Sequence, residues 1–112
     1  MTWMDAVLLK IHLGTTDQIS GESAFDWLIQ SARRAGLQGA TVTQGSMGFG
    51  PDGELRHAAL FHFAQNLPVT VELVDQAEAI ERFLNETGPH LPVSSLVTTQ
   101  NVRALRREPR ER

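Results

Sequence analysis

Hydrophobic residues occupy every second position between residues 7 and 13, and a lysine and a histidine stand between them. This period of two predicts a β-strand with one face on a core and the other partly in water, ending at Gly14. Between Glu22 and Gly36 the apolar spacing changes to that of an amphipathic helix, which Gly36 is placed to end with a positive φ. The buried stripe of this helix is expected at Phe25, Leu28, Ile29 and Ala32.

A long connection separates the second and third predicted strands. Residues 40–43 predict the second strand, and residues 45–67 form the connection to the third. Connections longer than about 12–15 residues in compact domains are usually functional or disordered. The first half is rich in glycine and predicts an open loop, whereas residues 55–63 are apolar enough to pair as an extra strand or to pack on a neighbouring surface.

The third strand and the second helix follow this connection. Residues 69–74 are rich in β-branched side chains and predict a strand that begins after a proline. Asp75 and Glu78 have the spacing of a capping box, which predicts the start of a helix that ends before Gly88. The buried stripe of this helix is expected at Ala77, Ile80, Phe83 and Leu84.

A fourth strand at residues 96–99, which Val102 extends, completes the order β-α-β-β-α-β. Right-handed crossovers then give a ferredoxin-like α+β fold, with an antiparallel sheet and both helices on one face. The other face is left open, so burial by a partner subunit or a ligand is expected. We expect one domain over residues 1–102 and a basic, flexible tail over residues 103–112, whose five arginines and two glutamates carry a net charge of +3.

Composition narrows the class of protein. The chain has 112 residues, 41% of them hydrophobic, and a net charge of −3, as expected for one globular domain. It contains no cysteine, which excludes disulfides, thiolate metal sites and a thiol nucleophile. The apolar run near the start is interrupted by charge and has no basic leader, so neither a signal peptide nor a membrane span is expected. These features predict a cytoplasmic protein.

Catalytic or metal chemistry is not indicated by the remaining polar residues. The four histidines are scattered along the chain, whereas a zinc site needs about three or four convergent ligands. Asp52 and Glu54 predict an exposed turn, and Ser94 and Ser95 lack a nucleophile motif. We therefore expect neither an enzyme nor a metal site.

Five short segments together carry a family resemblance: residues 39–42, 48–50, 57, 67–69 and 72–75. A Gly-Phe-Gly loop paired with a downstream Leu-Pro-Val strand is more specific than either element alone. From about Leu8 to Val102 the chain resembles the uncharacterised bacterial proteins related to PII signal-transduction proteins. This resemblance implies a PII-like fold and a homotrimer whose long loop contacts partner proteins, with adenine nucleotides between subunits in true PII proteins.

The resemblance also implies a ligand site without any further cofactor. Six residues match positions of the PII nucleotide cleft: Thr41, Gly48, Gly50, Gly88, Arg103 and Arg106. Residues 89–92 depart from the Gly- and Lys-rich phosphate segment of PII proteins. Pro51 replaces the glutamine that supports 2-oxoglutarate and magnesium, and the absence of tyrosine excludes uridylylation of the loop.

The resemblance implies a sensor whose loop reports ligand occupancy to a partner through Phe49, Arg56 and His57. The partner it suggests is a membrane ion transporter or channel, including fluoride channels. A ligand-free protein-interaction module is the alternative. RNA recognition motifs share the strand order, but their binding strands need exposed aromatic residues. Residues 70, 72 and 74 supply threonine, glutamate and valine instead, so no nucleic acid is expected.

Overall fold

The computed structural model of the protein describes residues 1–58 and 66–107. Two helices, one short 3-10 helix and eight strands are assigned there. In chain order they are β1 (Thr2–Gly14), β2 (Gln18–Ile19), β3 (Glu22–Ser23), α1 (Ala24–Arg34), β4 (Gly39–Gln44), β5 (Met47–Gly48), β6 (Arg56–His57), β7 (Pro68–Asp75), α2 (Ala77–Thr87), the 3-10 helix (Gly88–His90) and β8 (Leu96–Arg106).

The four long strands form one antiparallel sheet in the order β4-β7-β1-β8. This is the predicted ferredoxin-like arrangement, with the first and third long strands in the centre of the sheet. The three smaller predictions made for these elements also hold: β1 ends at Gly14, α1 is followed by Gly36 with a φ of +74°, and α2 ends before Gly88.

The core lies between the helices and one face of the sheet. Alternate residues of β1 and β7 point into it, as the period of two predicts, and α1 adds its apolar stripe. Trp27 packs against this core and lies 5.3 Å from the ring of His90, which makes it a packing residue. The side chains that form the central part of the core are Leu9, Ile11, Leu13, Leu28, Ala32, Val69, Val71, Leu73, Ile80 and Phe83.

The start of α2 differs from the prediction. Gln76 is the N-cap residue, and no side chain caps the helix. Every second residue of β7 is buried, and Asp75 is one of them, so its carboxylate points inward. The carboxylate accepts the backbone N–H of Gln76 and that of Gln38. The capping box is therefore wrong. Ala77 is exposed at the first helical position, and Ala79 takes its expected place in the core.

The outer strand β8 is longer than predicted. Residues 2–6 of β1 extend past the end of β7 and pair with residues 102–106, so the two strands continue as a ribbon beyond the four-stranded part. Residues 103–106 thus belong to the sheet, and the predicted tail boundary at residue 102 is corrected. Residues 108–112 lie outside the described residues.

The sheet face opposite the helices is open and mostly polar. One row of side chains runs across it through Thr41, Glu72, Lys10 and Thr98, and Lys10 Nζ lies 3.8 Å from Glu72 Oε1. In the next row, the hydroxyl of Thr70 lies 3.3 Å from His12 Nδ1. Over residues 1–58 and 66–107, neither helix combines the length and apolar character needed to cross a membrane.

Part of the connection between β4 and β7 forms a small hairpin. Strands β5 and β6 pair as Met47 with His57 and Gly48 with Arg56. The predicted extra strand is thus confirmed for residues 56 and 57, whereas residues 59–65 lie outside the described part of the chain. Between the two strands, the backbone N–H of Gly53 donates to the carbonyl of Gly50 at 2.9 Å.

Candidate functional site

A cavity of about 310 Å³ lies at the base of this hairpin, where β1 ends and β7 and β8 begin. Its walls come from three parts of the fold, which bring together four segments of the sequence. The hairpin supplies Gly48, Phe49, Gly50 and Arg56; the sheet supplies His12, Leu13, Pro68, Val69, Thr70 and Leu96; and the turn before β8 supplies Ser94.

Arg56 is the buried cation of this cavity, with only 6% of its surface exposed. Its Nη2 donates to Asp52 Oδ2 at 3.0 Å. Asp52 also accepts the backbone N–H of Glu54 at 3.0 Å, and this hydrogen bond, with the positive charge of Arg56, lowers the pKa of Asp52 below its ordinary value of 3.8. The guanidinium Nε is buried and has no hydrogen-bond partner among residues 1–58 and 66–107.

The glycine at the end of β1 makes room for this arginine. A β-carbon on Gly14 would lie 2.7 Å from Arg56 Nε and 2.3 Å from Asn66 Oδ1, well inside contact distance. The oxygen of Asn66 in turn accepts the backbone N–H of Thr16 at 3.3 Å. The absence of a side chain at position 14 therefore lets the guanidinium pack against the end of β1, beside the cavity.

Gly50 is similarly confined at the cavity wall. A β-carbon there would lie 3.3 Å from the backbone carbonyl oxygen of Ser94 and 3.9 Å from Arg56 Nη1. A larger side chain would thus enter the cavity or push the hairpin away from the turn before β8. Gly48 is less confined, because its nearest neighbour is the Pro68 ring at 3.4 Å.

A second and wider cavity, of about 790 Å³, lies at the opposite end of the sheet. It is lined by the start of α2 and by the ribbon of β1 and β8, including Asp5, Glu78 and Arg103. The guanidinium of Arg103 stacks on the ring of Trp3, with its carbon 4.7 Å from the ring centroid.

The six predicted ligand residues do not meet within one chain. Gly48 and Gly50 share the smaller cavity, whereas Arg103 lines the larger one. Arg103 pairs with Asp5, and His12 of the smaller cavity lies seven residues further along β1. At about 3.3 Å per residue, roughly 23 Å separate the two groups.

The other three predicted ligand residues line neither cavity. Thr41 is exposed on the open sheet face, and Arg106 is half-buried opposite Thr2. Gly88 begins the 3-10 helix with φ −51° and ψ −46°. This helical conformation directly before Pro89 is disfavoured for residues that carry a β-carbon, which gives Gly88 a conformational role.

The predicted partner-binding residues separate into two kinds. Phe49, 75% exposed, and His57 are accessible on the hairpin. Arg56 is not accessible, because its side chain turns inward, lies over the space left by Gly14 and pairs with Asp52. Its predicted role as a partner contact is therefore wrong. Asp52 likewise holds an ion pair rather than forming a simple exposed turn. The four-residue spacing of Asp52 and Arg56 was the available sequence signal for this pair.

Neither a metal-binding cluster nor an RNA-stacking strand face is found among the described residues. No group of three or more His, Asp or Glu side chains within residues 1–58 and 66–107 is placed to hold a metal ion. On the open face, β7 presents Thr70, Glu72 and Val74, as the sequence predicts, in place of the aromatic residues that stack RNA bases.

The fold and the glycine-lined loop base together define a PII-like α+β protein. The chain belongs to the DUF190 family, described as uncharacterized ACR, COG1993, whose family model matches residues 6–104. A UPF0166 protein of Aquifex aeolicus is 35% identical over 99 residues, covering 88% of this chain and 91% of the relative. A UPF0166 protein of Methanocaldococcus jannaschii is 38% identical over 79 residues, covering 70% and 72%.

Solved PII-like proteins share the fold. CPII, a nitrogen regulatory PII-like protein from Thiomonas intermedia K12 solved with ADP, AMP and bicarbonate, has a TM-score of 0.68 at 17% identity, covering 94% of this chain and 92% of CPII. A PII-like signaling protein from Thermus thermophilus has a TM-score of 0.63 at 16% identity, covering 94% of each chain. The predicted family and the PII-like fold are thus confirmed.

Proposed function

We propose that this protein is a PII-like regulator, not an enzyme, which assembles as a cytoplasmic homotrimer and binds an adenine nucleotide between subunits. The connection between β4 and β7 signals occupancy of that site to a partner protein. The observation that carries the proposal is the separation of about 23 Å along β1, given the strand rise, between Asp5, which pairs with Arg103, and His12, which lines the cavity of the loop-base glycines.

That separation favours a site shared by two chains. A head-to-tail contact between copies brings one end of the sheet against the other end of its neighbour, and such contacts close into rings when the rotation allows. Both ends carry exposed apolar side chains that such a contact would bury. These are Trp3 and Leu105 on the ribbon, and Met47, Phe49 and Leu96 near the loop base.

An adenine nucleotide is the ligand class that the chemistry and the fold support. The fork of Arg103 suits phosphate oxygens, and the loop-base glycines let a ligand approach the backbone closely. CPII, which shares the fold, was solved with ADP and AMP. In this proposal the loop base contacts the nucleotide of one subunit pair, and Arg103 of the adjacent chain contacts its phosphates.

Mixed trimers test this arrangement directly. Gly50→Val narrows the loop base and Arg103→Ala removes the fork, so each variant alone should form trimers that bind ADP at least about tenfold more weakly, as expected when a charge-assisted contact is lost. Co-expression of the two variants with different tags should restore one intact site per mixed trimer, measured by calorimetry. Mixed trimers that bind no better than their parents would contradict the intersubunit site.

The partner that the family resemblance suggests is a membrane ion transporter or channel, and Phe49 is the exposed residue proposed to contact it. Phe49→Ser should remove co-purification with detergent-solubilised membrane protein while ADP binding stays unchanged. His57→Ala is the matched hairpin control that separates loss of one side chain from loss of the hairpin. Equal recovery with both variants would place the contact elsewhere.

A ligand-free interaction module is the second candidate. It is favoured by residues 89–92, which lack the Gly- and Lys-rich phosphate segment of PII proteins, and by the conformational role of Gly88. A thermal-shift panel of ATP, ADP, AMP and cyclic dinucleotides separates the two candidates, because a ligand that prefers the folded state raises the melting temperature. An unchanged melting temperature with every nucleotide would favour the module.

A further inference from the structure

Arg56 has donor capacity that its one carboxylate partner does not use. A guanidinium carries five N–H groups in a planar fork, and the described residues give this one an ion pair with Asp52 through Nη2. Nε lies on the same edge of the fork and, within residues 1–58 and 66–107, is buried without a hydrogen-bond partner. Unpaired buried donors are rare in folded proteins, so this one calls for a ligand.

The surroundings of Arg56 are shaped around the guanidinium. The missing side chain of Gly14 leaves the space that Nε and the Asn66 oxygen occupy. Arg56 lines the cavity of about 310 Å³ together with the glycines of the hairpin, Thr70 and Ser94, and its Nη1 is the guanidinium atom near Gly50. This volume admits a small anion together with water, and the glycines let it approach the backbone.

We propose that Arg56 is the binding group of an oxyanion site contained within one chain. Two oxygens of a carboxylate or a phosphate pair with Nε and Nη2, and in doing so they replace Asp52 on the guanidinium. Bidentate pairing of this kind is the strongest hydrogen-bonded arrangement open to an arginine. The site lies beside the loop-base glycines of the proposed nucleotide site, but it requires neither Arg103 nor a second copy.

Exchange of the Asp52 carboxylate for an anion on the Arg56 guanidinium would link anion binding to the conformation of the hairpin. Asp52 holds the turn between β5 and β6 through the N–H of Glu54 and through Arg56. When an anion occupies the guanidinium, the turn loses its anchor to Arg56, whereas the pairing of β5 with β6 does not depend on that contact. The exposed Phe49 next to Gly50 would then change position, so anion binding and presentation of the hairpin are coupled.

The first experiment follows the Arg56 Nε–H resonance by nitrogen–proton NMR during titrations with sodium phosphate and sodium acetate. Sodium chloride at matched ionic strength is the control. Arg56→Lys, which keeps the charge but not the fork, assigns the resonance. We expect a saturable shift of the Arg56 signal with an oxyanion and none with chloride. An Arg56 signal that moves no more in phosphate and acetate than in chloride would overturn the proposal.

Matched variants give a second readout. Asp52→Asn removes the competing carboxylate and should tighten phosphate or acetate binding by about tenfold, whereas Arg56→Lys should weaken it by a similar factor. Arg82→Lys alters an exposed arginine of α2 that belongs to neither proposed site, and it should leave the titration unchanged. If Asp52→Asn binds neither anion more tightly than the unaltered protein, exchange at Arg56 is refuted, whether or not Arg56→Lys folds.

Comparison of ligands identifies the source of the anion. Saturation by free phosphate or acetate assigns the site to small anions, whereas a shift with ADP but not with adenosine assigns it to the phosphate of a nucleotide. Either result supports an oxyanion site at Arg56. The response to free anions is measured without nucleotide, so a negative result there would not contradict the proposed intersubunit nucleotide site. Likewise, mixed trimers that fail to bind ADP would not contradict the oxyanion site at Arg56.

Discussion

The carboxylate of Asp75 accepts the backbone N–H of Gln38 across 3.2 Å and so ties the end of β7 to the turn that leads into β4. The same carboxylate accepts the N–H of Gln76 at 2.6 Å. Asp75 is completely buried, and each of its two carboxylate oxygens accepts one of these N–H groups. One side chain thus fixes the outer strand and the start of α2 together.

Asp75→Ala should therefore lower the free energy of unfolding by about 3 kcal/mol, because it removes a charged acceptor that serves two backbone N–H groups. Asp75→Asn keeps one oxygen acceptor and should cost less. Urea denaturation measures both, with Glu81→Ala on the exposed face of α2 as the control, expected within about 0.5 kcal/mol of the unaltered protein. An Asp75→Ala protein as stable as the control would show that this carboxylate does not hold the sheet.

Gly14→Ala should destabilise the protein by about 1–3 kcal/mol, as expected for an overpacked buried position. The added carbon would collide with Asn66 Oδ1 and Arg56 Nε. Gly39→Ala is the matched control, since a β-carbon there has no heavy atom within 4 Å and should be tolerated. Thermal unfolding of both variants measures the difference. Equal melting temperatures would mean that the guanidinium does not lie over Gly14 in solution.

The stacking of Arg103 on Trp3 should contribute about 0.5–1 kcal/mol, the range for an exposed cation–π contact. A double-mutant cycle with Trp3→Leu and Arg103→Met isolates this coupling energy in urea denaturation. Asp5→Asn serves as the comparison, because Asp5 lies opposite Arg103 in the strand register. Coupling of Arg103 to Asp5 in place of Trp3 would indicate an ion pair instead of stacking.

The ion pair of Asp52 with Arg56 should make stability depend on pH in acid. The pKa of Asp52 is lowered in the folded state, first by the N–H of Glu54 and then by Arg56. A lowered folded pKa adds stability above the unfolded pKa of about 3.9, and this stability is lost as the pH falls through the folded value.

Unfolding curves of the unaltered protein and Asp52→Asn should thus differ near neutral pH and converge below about pH 4, given the ordinary aspartate pKa. Asp17→Asn is a control for another aspartate on the loop side of the sheet. A difference between the unaltered protein and Asp52→Asn that persists unchanged into strong acid would contradict ionisation of Asp52 as its cause.

The sequence predicts the long elements because their burial follows a simple period. The alternation around Leu9 and Val71 and the helical stripe around Leu28 each specify one face, and the structure buries those faces. The capping box fails for a different reason: the spacing of Asp75 and Glu78 fits a helix start, but the strand before it continues to residue 75 and turns the carboxylate inward.

The candidate site is less predictable than the fold because it depends on contacts between distant segments. Arg56 belongs to residues 55–63 of the long connection, whose pattern gives no sign of a buried ion pair, and the space that Arg56 occupies is created by Gly14, 42 positions earlier. Likewise, the length of β8 depends on residues 2–6 of β1 as its pairing partner. The 96–99 pattern alone carries no sign of that partner.

The contact between Trp3 and Arg103 also equips the protein with an optical reporter of its own. Indole emission responds to a cation at the ring face, so departure of the guanidinium toward a phosphate would alter the fluorescence of Trp3. The other tryptophan, Trp27, packs against the core beside His90 and away from the ribbon. Replacing Trp27 with phenylalanine would leave one emitting side chain, through which ligand arrival at the ribbon could be followed in real time without any added dye.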